Sequence, residues 1–429
     1  MILYSKDSRP DLQCLSGKPS DLKLHNQQLV VSLLSHGHPL SASELASQSS
    51  LSKTTISKIL TELCRLSIVC SAGKGDSTSE GGKKPELFAL NSALAVTIVL
   101  SLFRRDTLHC SIVDLGGNIL YQKDHFLEDL QSYEVLRREM LSSIDQAREA
   151  SASFAGQLCG IVISYTGIAN AETGEILYPV QSFQSQYYPL REDIRQQVSA
   201  DIPVYVDNSC NYSGYAELLF DDNLDYEDIT VMSFGDIVSG CILQQRNGYP
   251  RRRGIAGEFG HYILDPSAKD RCYCGCQGCL DALLSKSAVL NFGRQLCFHF
   301  PFSKVARQME QELIDVEEII AAANGGDPFS QQILLRSVQY LALLIRNCCS
   351  LATVSKVIIQ GFYARAGTHF RTCLLEELKK TNQLNIHGDV VVEFSRYSEQ
   401  GAEYDEYACI RGASYFMSNI YLDHLLSSL

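Results

Sequence analysis

Groups that could bind a metal ion are concentrated in one stretch of the chain, residues 257–281. Three thiolates and one imidazole are the ligand set of a structural tetrahedral zinc ion. The predicted ligands are His261, Cys272, Cys274 and Cys279. Cys276 lies in the same loop and is either a spare thiol or a rival ligand. Neighbouring cysteines could also arise by chance in a cysteine-rich chain, but the loop glycines and the upstream histidine favour zinc.

The same stretch resembles the signature of the ROK family, which contains bacterial repressors, uncharacterised reading frames and sugar kinases. Residues 257–261 read Gly-Glu-Phe-Gly-His, and residues 272–281 read Cys-Tyr-Cys-Gly-Cys-Gln-Gly-Cys-Leu-Asp. In that family the zinc loop braces a sugar pocket. The resemblance therefore implies that Glu258, His261 and Asp281 contact sugar hydroxyls, with Asp281 replacing the usual, longer glutamate. It also implies that His261 binds zinc through one ring nitrogen and the sugar through the other.

The N-terminal part of the chain has the pattern of a DNA-binding unit. Apolar residues at helical spacing predict three helices between residues 21 and 66, and residues 41–44 have the pattern of a capping box at the start of the second. Two short apolar strands around a Gly/Ser/Lys-rich tip follow. Three helices and a hairpin predict a winged helix-turn-helix over residues 21–90, preceded by a loose arm over residues 1–20.

The third of these helices has the polar content that a recognition helix requires. The predicted DNA-binding residues are Ser52, Lys53, Thr54, Thr55, Ser57 and Lys58 on this helix and Lys74, Lys83 and Lys84 on the wing. The wing lysines would contact backbone phosphates, which position a protein without reading the base sequence. A solvated helical bundle that binds proteins would have a similar pattern. The phrase from Leu51 to Ser57 also resembles the DNA-reading helix of ROK repressors.

Composition and charge limit the remaining functions. The chain has 429 residues, of which 45% are hydrophobic and 20% charged, enough for two or three domains with their own cores. No apolar run approaches the roughly 20 residues of a membrane span, and the first residues lack the pattern of a secretory signal. These features predict a cytoplasmic protein without a membrane partner. The net charge of −12 argues against nucleic-acid binding over the whole surface, whereas residues 1–90 carry ten basic and eight acidic residues.

Beyond residue 90 the chain alternates apolar strand-like runs with helical segments, which predicts a mixed α/β fold with two lobes around a cleft. The resemblance implies the actin-like, ribonuclease-H-like fold of ROK sugar kinases over essentially the whole chain from about residue 20. In this arrangement residues 91–206 form a small lobe, which a C-terminal helix at about residues 403–429 completes. Residues 207–402 form a large lobe that contains the zinc loop.

Several positions that serve catalysis in ROK kinases differ in this chain. The glycine hairpin that cradles ATP phosphates is replaced by residues 102–106, which carry bulky side chains. A second glycine run, at residues 235–240, keeps two glycines and contains an aspartate. The catalytic aspartate, which takes the proton of the sugar hydroxyl, corresponds to Ser209. Rescue by Asp207 needs a register shift that breaks the match of both nearby asparagines. A glycine near the adenosine corresponds to Gln360.

These features predict a sugar-responsive transcriptional regulator, a repressor of carbohydrate metabolism genes without catalytic residues or kinase activity. Its predicted partners are operator DNA and a sugar or sugar-phosphate effector, and the resemblance implies a homodimer or homotetramer. Asn208 joins the predicted ligand contacts, because its amide can hydrogen-bond a hydroxyl. Zinc has a structural role. One alternative is an ATP-dependent sugar kinase with a regulatory DNA-binding domain, and another is a repressor whose pocket no longer binds sugars.

Overall fold

The computed structural model describes residues 19–35, 37–75, 84–104, 107–127, 132–180, 184–220, 228–246, 249–251, 259–311, 313–351, 354, 356–381 and 390–428. Within these residues a small N-terminal unit precedes two α/β lobes, each built on a five-stranded sheet. This confirms the predicted mixed α/β fold class. Across the same residues, every helix is too short or too polar to cross a membrane.

The N-terminal unit has three helices and a three-stranded antiparallel sheet with strand order β1-β3-β2. Its elements are α1 (Pro19–Leu34), β1 (Leu40–Ser41), α2 (Ala42–Ser49), α3 (Lys53–Arg65), β2 (Val69–Lys74) and β3 (Glu86–Leu90). The predicted capping box at the start of α2 is confirmed. The Ser41 hydroxyl accepts a hydrogen bond from the Glu44 N–H at 3.3 Å, and the Glu44 carboxylate accepts one from the Ser41 N–H at 2.7 Å.

Helix α3 owes its orientation to one apolar face. Four buried residues recur at the spacing of a helical face, Ile56, Ile59, Leu60 and Leu63. The start of the helix is fixed by Ser52, whose hydroxyl accepts a hydrogen bond from the Thr55 N–H at 3.1 Å. Ser50 has a left-handed backbone with φ of 57°, which sets the turn between α2 and α3. The polar side of α3 therefore faces outward.

The first lobe is built on a sheet with strand order β10-β7-β4-β5-β6. Its elements are β4 (Ala95–Arg104), β5 (Thr107–Asp114), β6 (Ile119–Phe126), α4 (Tyr133–Ser151), β7 (Gln157–Tyr165), the hairpin β8 (Ile176–Val180) and β9 (Gln184–Tyr188), α5 (Leu190–Arg195) and β10 (Val204–Asn208). Strands β4, β7 and β10 run parallel, and β5 and β6 are antiparallel additions. The carboxyl ends of the parallel strands therefore meet at one edge of the sheet.

The second lobe is built on a sheet with strand order β13-β12-β11-β14-β15 and carries most of the helices. Its elements are α6 (Ser209–Glu217), β11 (Asp228–Phe234), β12 (Val238–Arg246), β13 (Tyr249–Arg251), α7 (Leu280–Leu284), α8 (Lys286–Leu296), α9 (Lys304–Glu310), α10 (Val316–Asn324), α11 (Pro328–Leu351), β14 (Lys356–Gly361), α12 (Gly367–Thr381) and β15 (Val391–Phe394). Helices α7 to α12 enclose a separate hydrophobic core against β11 and β14.

The last helix, α13 (Glu403–Ser427), connects the N-terminal unit to the lobes. It packs against α6, β4 and β7, and also against α1. Leu422 and Leu426 of α13 lie in the same hydrophobic core as Val30 and Val31 of α1. Because this core also includes residues of β4 and β7, the N-terminal unit and the first lobe are packed as one body.

Candidate functional site

The four predicted metal ligands lie together in the second lobe. His261 ends a short 3₁₀ helix (Phe259–His261), Cys272 and Cys274 lie in the loop that follows, and Cys279 directly precedes α7. One donor atom from each residue lies within 4.8 Å of the other three. The Nδ1 atom of His261 is 3.6 Å from Cys272 Sγ, and the sulfur atoms of Cys274 and Cys279 are 3.7 Å apart.

These separations fit a tetrahedral metal ion. With metal–sulfur bonds of about 2.3 Å and metal–nitrogen bonds of about 2.0 Å, neighbouring donors in a tetrahedron lie roughly 3.5–3.8 Å apart. The two pairs at 3.6 and 3.7 Å therefore already have the spacing of a tetrahedral site. Nitrogen and sulfur donors suit soft or borderline metals, whereas magnesium and calcium take oxygen ligands.

The backbone of the loop sets the positions of these donors. The Cys272 N–H donates to the carbonyl of Cys276 at 2.9 Å, and the Gly275 N–H donates to the carbonyl of Cys272 at 2.9 Å. Gly275 and Gly278 have φ values of +90° and +72°, a region that strains any residue with a side chain. A Cβ atom at Gly278 would also overlap the carbonyl oxygen of Asp265. Position 278 therefore requires glycine, because any side chain there would prevent the loop from closing.

Burial and mutual proximity shift the thiols of the cluster in different directions. Burial raises the pKa of Cys272 to about 11 and the pKa of Cys279 to about 12. Burial also acts to raise the pKa of Cys274, but hydrogen bonds from the Cys276 backbone and from neighbouring thiols lower it overall. A metal ion must displace the protons of the buried thiols. Metal binding at this cluster therefore releases protons and strengthens as the pH rises.

Tyr273 forms a hydrogen bond with the ring nitrogen of His261 that faces away from the cysteines. Its hydroxyl lies 2.9 Å from His261 Nε2, and the two rings meet edge to face with centroids 4.9 Å apart. The family resemblance assigns this nitrogen to a sugar hydroxyl. Tyr273 is 63% exposed, so it lies on the open side of the cluster. Nothing in the sequence singles out Tyr273, because the family pattern leaves the residue between the first two cysteines open.

Two other predicted sugar contacts, Asn208 and Asp281, make hydrogen bonds with the backbone. Asn208 caps α6 and is buried, and its amide nitrogen donates to the carbonyl of Gly167 at 2.6 Å. The Asp281 Oδ1 atom accepts a hydrogen bond from the Val238 N–H at 2.8 Å, which ties α7 to the start of β12. Glu258 lies outside the described residues. Asn208 and Asp281 therefore have a structural role already, and their contact with a sugar stays a prediction.

Ser209 lies at the junction of β10 and α6, at the carboxyl edge of the first sheet. Its hydroxyl accepts a hydrogen bond from the Thr166 hydroxyl at 3.1 Å. Asp207, the neighbouring carboxylate, is buried and accepts a hydrogen bond from the side-chain amide of Asn211 at 2.7 Å. Asp207 therefore binds the first turn of α6. The position that matches the catalytic aspartate of ROK kinases, Ser209, carries a hydroxyl group instead of a carboxylate.

The predicted recognition residues lie on the outward side of α3. Ser52, Lys53, Thr54, Ser57 and Lys58 are exposed, and Thr55 is half-buried. The Ser57 hydroxyl donates to the carbonyl of Lys53 at 2.9 Å, and the Ser52 hydroxyl caps the start of the helix. On the wing, Lys74 and Lys84 are exposed, and Lys83 lies outside the described residues.

Two further residues extend the exposed face of α3. Thr61 and Arg65 follow Lys53 and Ser57 at intervals of four residues, and both are exposed. Residues four apart lie on the same face of a helix. Helical spacing, counted onward from Lys53 in the sequence, indicates both residues. They lie beyond the first two turns of α3, to which the predicted DNA contacts were confined.

A model of the ROK family matches residues 105–413. The chain belongs to the ROK family. The matched region begins just after β4 and includes the rest of both lobes together with part of α13. The family predicted from the ligand motif is therefore confirmed.

Several ROK proteins are similar to most of the chain. The xylose repressor of Caldicellulosiruptor bescii is 23% identical over 384 residues, covering 90% of this chain and 94% of that protein. The DNA-binding transcriptional dual regulator NagC of Escherichia coli K12 is 22% identical over 423 residues, covering 98% of this chain and 100% of that protein.

Solved structures of ROK proteins show the same fold. A ROK family transcriptional regulator, a homologue of the E. coli MLC protein, has a TM-score of 0.69 at 23% identity and covers 95% of this chain and 99% of its own. A ROK family glucokinase from Streptomyces griseus has a TM-score of 0.57 at 20% identity and covers 75% of this chain and 98% of its own. The predicted combination of a winged helix-turn-helix with the two-lobed ROK sugar-kinase fold is confirmed.

Gln360 stands where the resemblance to ROK kinases places a glycine near the adenosine. It is buried near the end of β14, where its side-chain oxygen accepts a hydrogen bond from the Ser213 hydroxyl at 2.9 Å. Its side-chain nitrogen donates to Glu217 Oε1 at 2.8 Å. These bonds join β14 to α6. A polar side chain therefore fills this position, and two hydrogen bonds hold it there.

The two segments that match the phosphate loops of ROK kinases each connect a pair of antiparallel strands. In the first, residues 102–104 continue β4, and residues 105–106 lie outside the described residues. In the second, residues 235–240 form the turn between β11 and β12 and the first residues of β12. A Cβ atom at Gly240 would overlap the ring of Phe259. One glycine of the second loop is therefore explained by the packing of the ROK ligand motif against β12.

Proposed function

We propose that this ROK protein is a sugar-responsive, DNA-binding transcriptional regulator that represses genes of carbohydrate metabolism. The observation that carries the proposal is a winged helix with an exposed polar recognition face, packed on the ROK lobes through a shared core. The relatives support the same class, because their names describe a xylose repressor and a DNA-binding transcriptional regulator. In this proposal a cytoplasmic homodimer or homotetramer places two winged helices on two half-sites of operator DNA.

The DNA contacts are divided between α3 and the wing. Lys53, Lys58 and the hydroxyl residues of α3 enter the major groove, where they reach base edges and the adjoining phosphates. Lys74, Lys83 and Lys84 on the wing bind phosphates and add affinity that does not depend on base sequence. The net charge of the whole chain is −12, so the positive groups on the winged helix also orient the protein on the duplex.

A sugar or sugar phosphate is the proposed effector, bound in the cleft by Asn208, Glu258, His261 and Asp281. Zinc is the proposed ion of the Cys/His cluster, where it supplies a structural brace for the loop. His261 then faces the ion through Nδ1 and the effector through Nε2, in place of its bond to Tyr273. Asp281 positions α7 beside the same site through its bond to β12.

The loss of kinase activity is supported by the groups at the junction of β10 and α6. Transfer of a phosphoryl group to a sugar needs an acceptor for the hydroxyl proton, and a serine hydroxyl cannot serve at neutral pH. Ser209 stands at that position and is bonded to Thr166. Asp207 is buried and bonded to Asn211, which directs its carboxylate toward α6. Gln360 also fills a position that ROK kinases leave open for the nucleotide.

DNA binding is tested by selection of a binding sequence from a random duplex library, followed by fluorescence anisotropy with the selected duplex. Lys53→Ala and Lys58→Ala should each weaken binding by about tenfold, and each lost phosphate contact should lower the slope of log K against log salt by about 1. Lys379→Ala is the matched control, because Lys379 is an exposed lysine on α12. Equal affinity of all three variants and the unmodified chain would remove the DNA assignment from α3.

Effector binding is tested by thermal unfolding of the zinc-loaded chain with D-xylose, N-acetyl-D-glucosamine and D-glucose. A sugar present at 100 times its dissociation constant should stabilise the chain by about 2.7 kcal/mol, and the shift should disappear in Asp281→Asn. The same sugars with ATP test the kinase alternative through release of ADP. Sugar-dependent ADP release would overturn the loss of kinase activity, and the absence of any thermal shift across a wider sugar panel would overturn the effector assignment.

A further inference from the structure

The metal loop contains a thiol that the metal cluster does not use. Cys276 is exposed, whereas Cys279 is buried and belongs to the cluster. Gln277 and Gly278 separate them, so the two cysteines form a Cys-x-x-Cys pair. An accessible first thiol beside a protected second thiol is the arrangement that thiol–disulfide chemistry uses. The ROK motif does not call for a cysteine at position 276, so this pair is a feature of the present chain.

The backbone of the loop places the two cysteines of this pair in one turn. The Cys272 N–H donates to the carbonyl of Cys276 and closes the turn, and Gly278 has a left-handed backbone between Cys276 and Cys279. The Cys274 thiol raises the pKa of Cys276 by hydrogen bonding, and a hydrogen bond with the Cys279 thiol acts in the opposite direction. Cys276 therefore reaches its partner from the solvent side, while Cys279 faces the metal cluster.

We propose that Cys276 is a peroxide-reactive thiol whose oxidation to a disulfide with Cys279 releases the metal ion from the cluster. The inference rests on metal binding by the four-residue cluster, which is part of the function proposed above. The disulfide removes one of the four donors. The remaining His261, Cys272 and Cys274 leave the ion with an incomplete ligand set.

The oxidant is hydrogen peroxide, and the reaction proceeds in two displacements. The Cys276 thiolate attacks one peroxide oxygen, the O–O bond breaks, and hydroxide leaves, which gives a sulfenic acid at Cys276. The Cys279 thiolate then attacks the Cys276 sulfur, the S–O bond breaks, and a second hydroxide leaves as the S–S bond forms. The Cys276 proton converts one hydroxide to water, and a proton from solvent converts the other, because the zinc-bound Cys279 thiolate carries no proton. One thiol, one zinc-bound thiolate, one peroxide and one proton therefore yield one disulfide, two waters and a free zinc ion, a transfer of two electrons.

Release of the metal ion would change the proposed effector site through α7. Cys279 is the residue directly before this helix, and Asp281 lies in its first turn. The metal cluster and the bond from Asp281 to Val238 hold the two ends of the same short segment. Loss of the ion loosens one of these ends. Peroxide is thereby coupled to the geometry of the predicted sugar contacts His261 and Asp281.

The test uses the full chain loaded with zinc and treated with a molar excess of hydrogen peroxide. Zinc release is followed with a chromogenic chelator, and the disulfide is located by fragmentation of the tryptic peptide of residues 272–286, which contains all four loop cysteines. Cys276→Ser and Cys276→Ala should release zinc at least about tenfold more slowly than the unmodified chain. Cys70→Ser is the matched control, because Cys70 is an exposed cysteine in β2, far along the chain from the loop.

The expected result is rapid zinc release from the unmodified chain and from Cys70→Ser, with a link between Cys276 and Cys279. Release at an unchanged rate from both Cys276 variants, or a link between another pair of thiols, would overturn the proposal. A chain that cannot be loaded with zinc would overturn the release step as well. Neither readout involves DNA or sugar. A negative result here therefore does not bear on the proposed regulator function, which the DNA-binding and sugar-binding assays test separately.

Discussion

Replacement of Glu217 by glutamine is expected to stabilise the folded chain above pH 7 and not below pH 5. Glu217 ends α6, is 5% exposed, and accepts a hydrogen bond from Gln360 at 2.8 Å. Burial raises the pKa of its carboxyl from 4.5 to about 7, although hydrogen bonds from Ser395 and Gln360 and the charge of Lys356 act against the rise. The carboxylate form is therefore the disfavoured form in the folded chain.

The direction of this pH dependence follows from the number of protons that the folded and unfolded chains bind at Glu217. Between pH 4.5 and about 7 the folded chain binds more protons at Glu217 than the unfolded chain, so stability falls as the pH rises through this window. Each pKa unit corresponds to about 1.4 kcal/mol, and the whole window to about 3 kcal/mol of unfolding free energy at pH 8. The Glu217→Gln variant has no titrating group at this position, so its stability lacks this pH dependence. An imperfect hydrogen bond of the new amide subtracts about 1 kcal/mol, which leaves a gain of about 2 kcal/mol at pH 8.

The assay is urea unfolding at a series of pH values between about 5 and 8. The chain contains no tryptophan, so helix loss is followed by circular dichroism. Glu376→Gln is the matched control, because Glu376 is an exposed glutamate on α12. The difference in unfolding free energy between Glu217→Gln and the unmodified chain should change sign as the pH rises. A difference that is the same at every pH would refute the assignment of a raised pKa to Glu217.

Three further outcomes follow from the packing and the metal site. Removal of the metal ion by a chelator should lower the melting temperature by at least about 5 °C, and Cys279→Ser should prevent reloading as measured by metal analysis. Gly412→Ala should cost at least about 3 kcal/mol in urea unfolding, since a Cβ atom there would overlap the carbonyl oxygen of Tyr212 and separate α13 from α6. Ser52→Ala should cost about 1 kcal/mol of helix stability, because the cap to Thr55 is lost, and a melting curve identical to that of the unmodified chain would contradict the cap.

Features that depend on short stretches of sequence could be predicted. The apolar spacing from Ile56 to Leu63 set the buried face of α3, and the capping box at Ser41 and Glu44 formed as expected. The donor types and the glycines of the metal loop likewise lie within a few residues of one another. In each case the interacting groups are close along the chain, so local geometry brings them together without a knowledge of the tertiary fold.

Features that depend on distant pairs could not be predicted from the sequence. Gln360 and Glu217 are 143 positions apart, and the bond between them follows from the packing of β14 on α6. The bond from Tyr273 to His261 depends on the orientation of two side chains that the family pattern does not constrain. The resemblance gave a reason to notice Gln360 as a replaced glycine, but nothing in it indicated the partner.

In the proposed regulator, helix α13 is the element that connects the predicted effector site to the DNA-binding unit. Near its start, Asp405 accepts a hydrogen bond from Arg365 at 3.3 Å, and the Cys409 thiol donates to the carbonyl of Ser209 at 3.5 Å. The first bond ties α13 to the 3₁₀ helix after β14, and the second ties it to the junction where Asn208 caps α6. Near its end, Leu426 packs in the core that includes α1. At 1.5 Å per residue, its 25 residues span about 37 Å.

A continuous helix of this length transmits a displacement at one end to the other, because its backbone hydrogen bonds leave it few soft degrees of freedom. A sugar that binds one arrangement of α6 and α13 more tightly than another shifts the equilibrium by its difference in affinity. The winged helix follows α13, since the two share one core. Two recognition helices that must fit two half-sites at a fixed spacing tolerate little displacement. In the proposed dimeric regulator, a small movement at the effector site is therefore sufficient to change operator affinity without any unfolding of the winged helix.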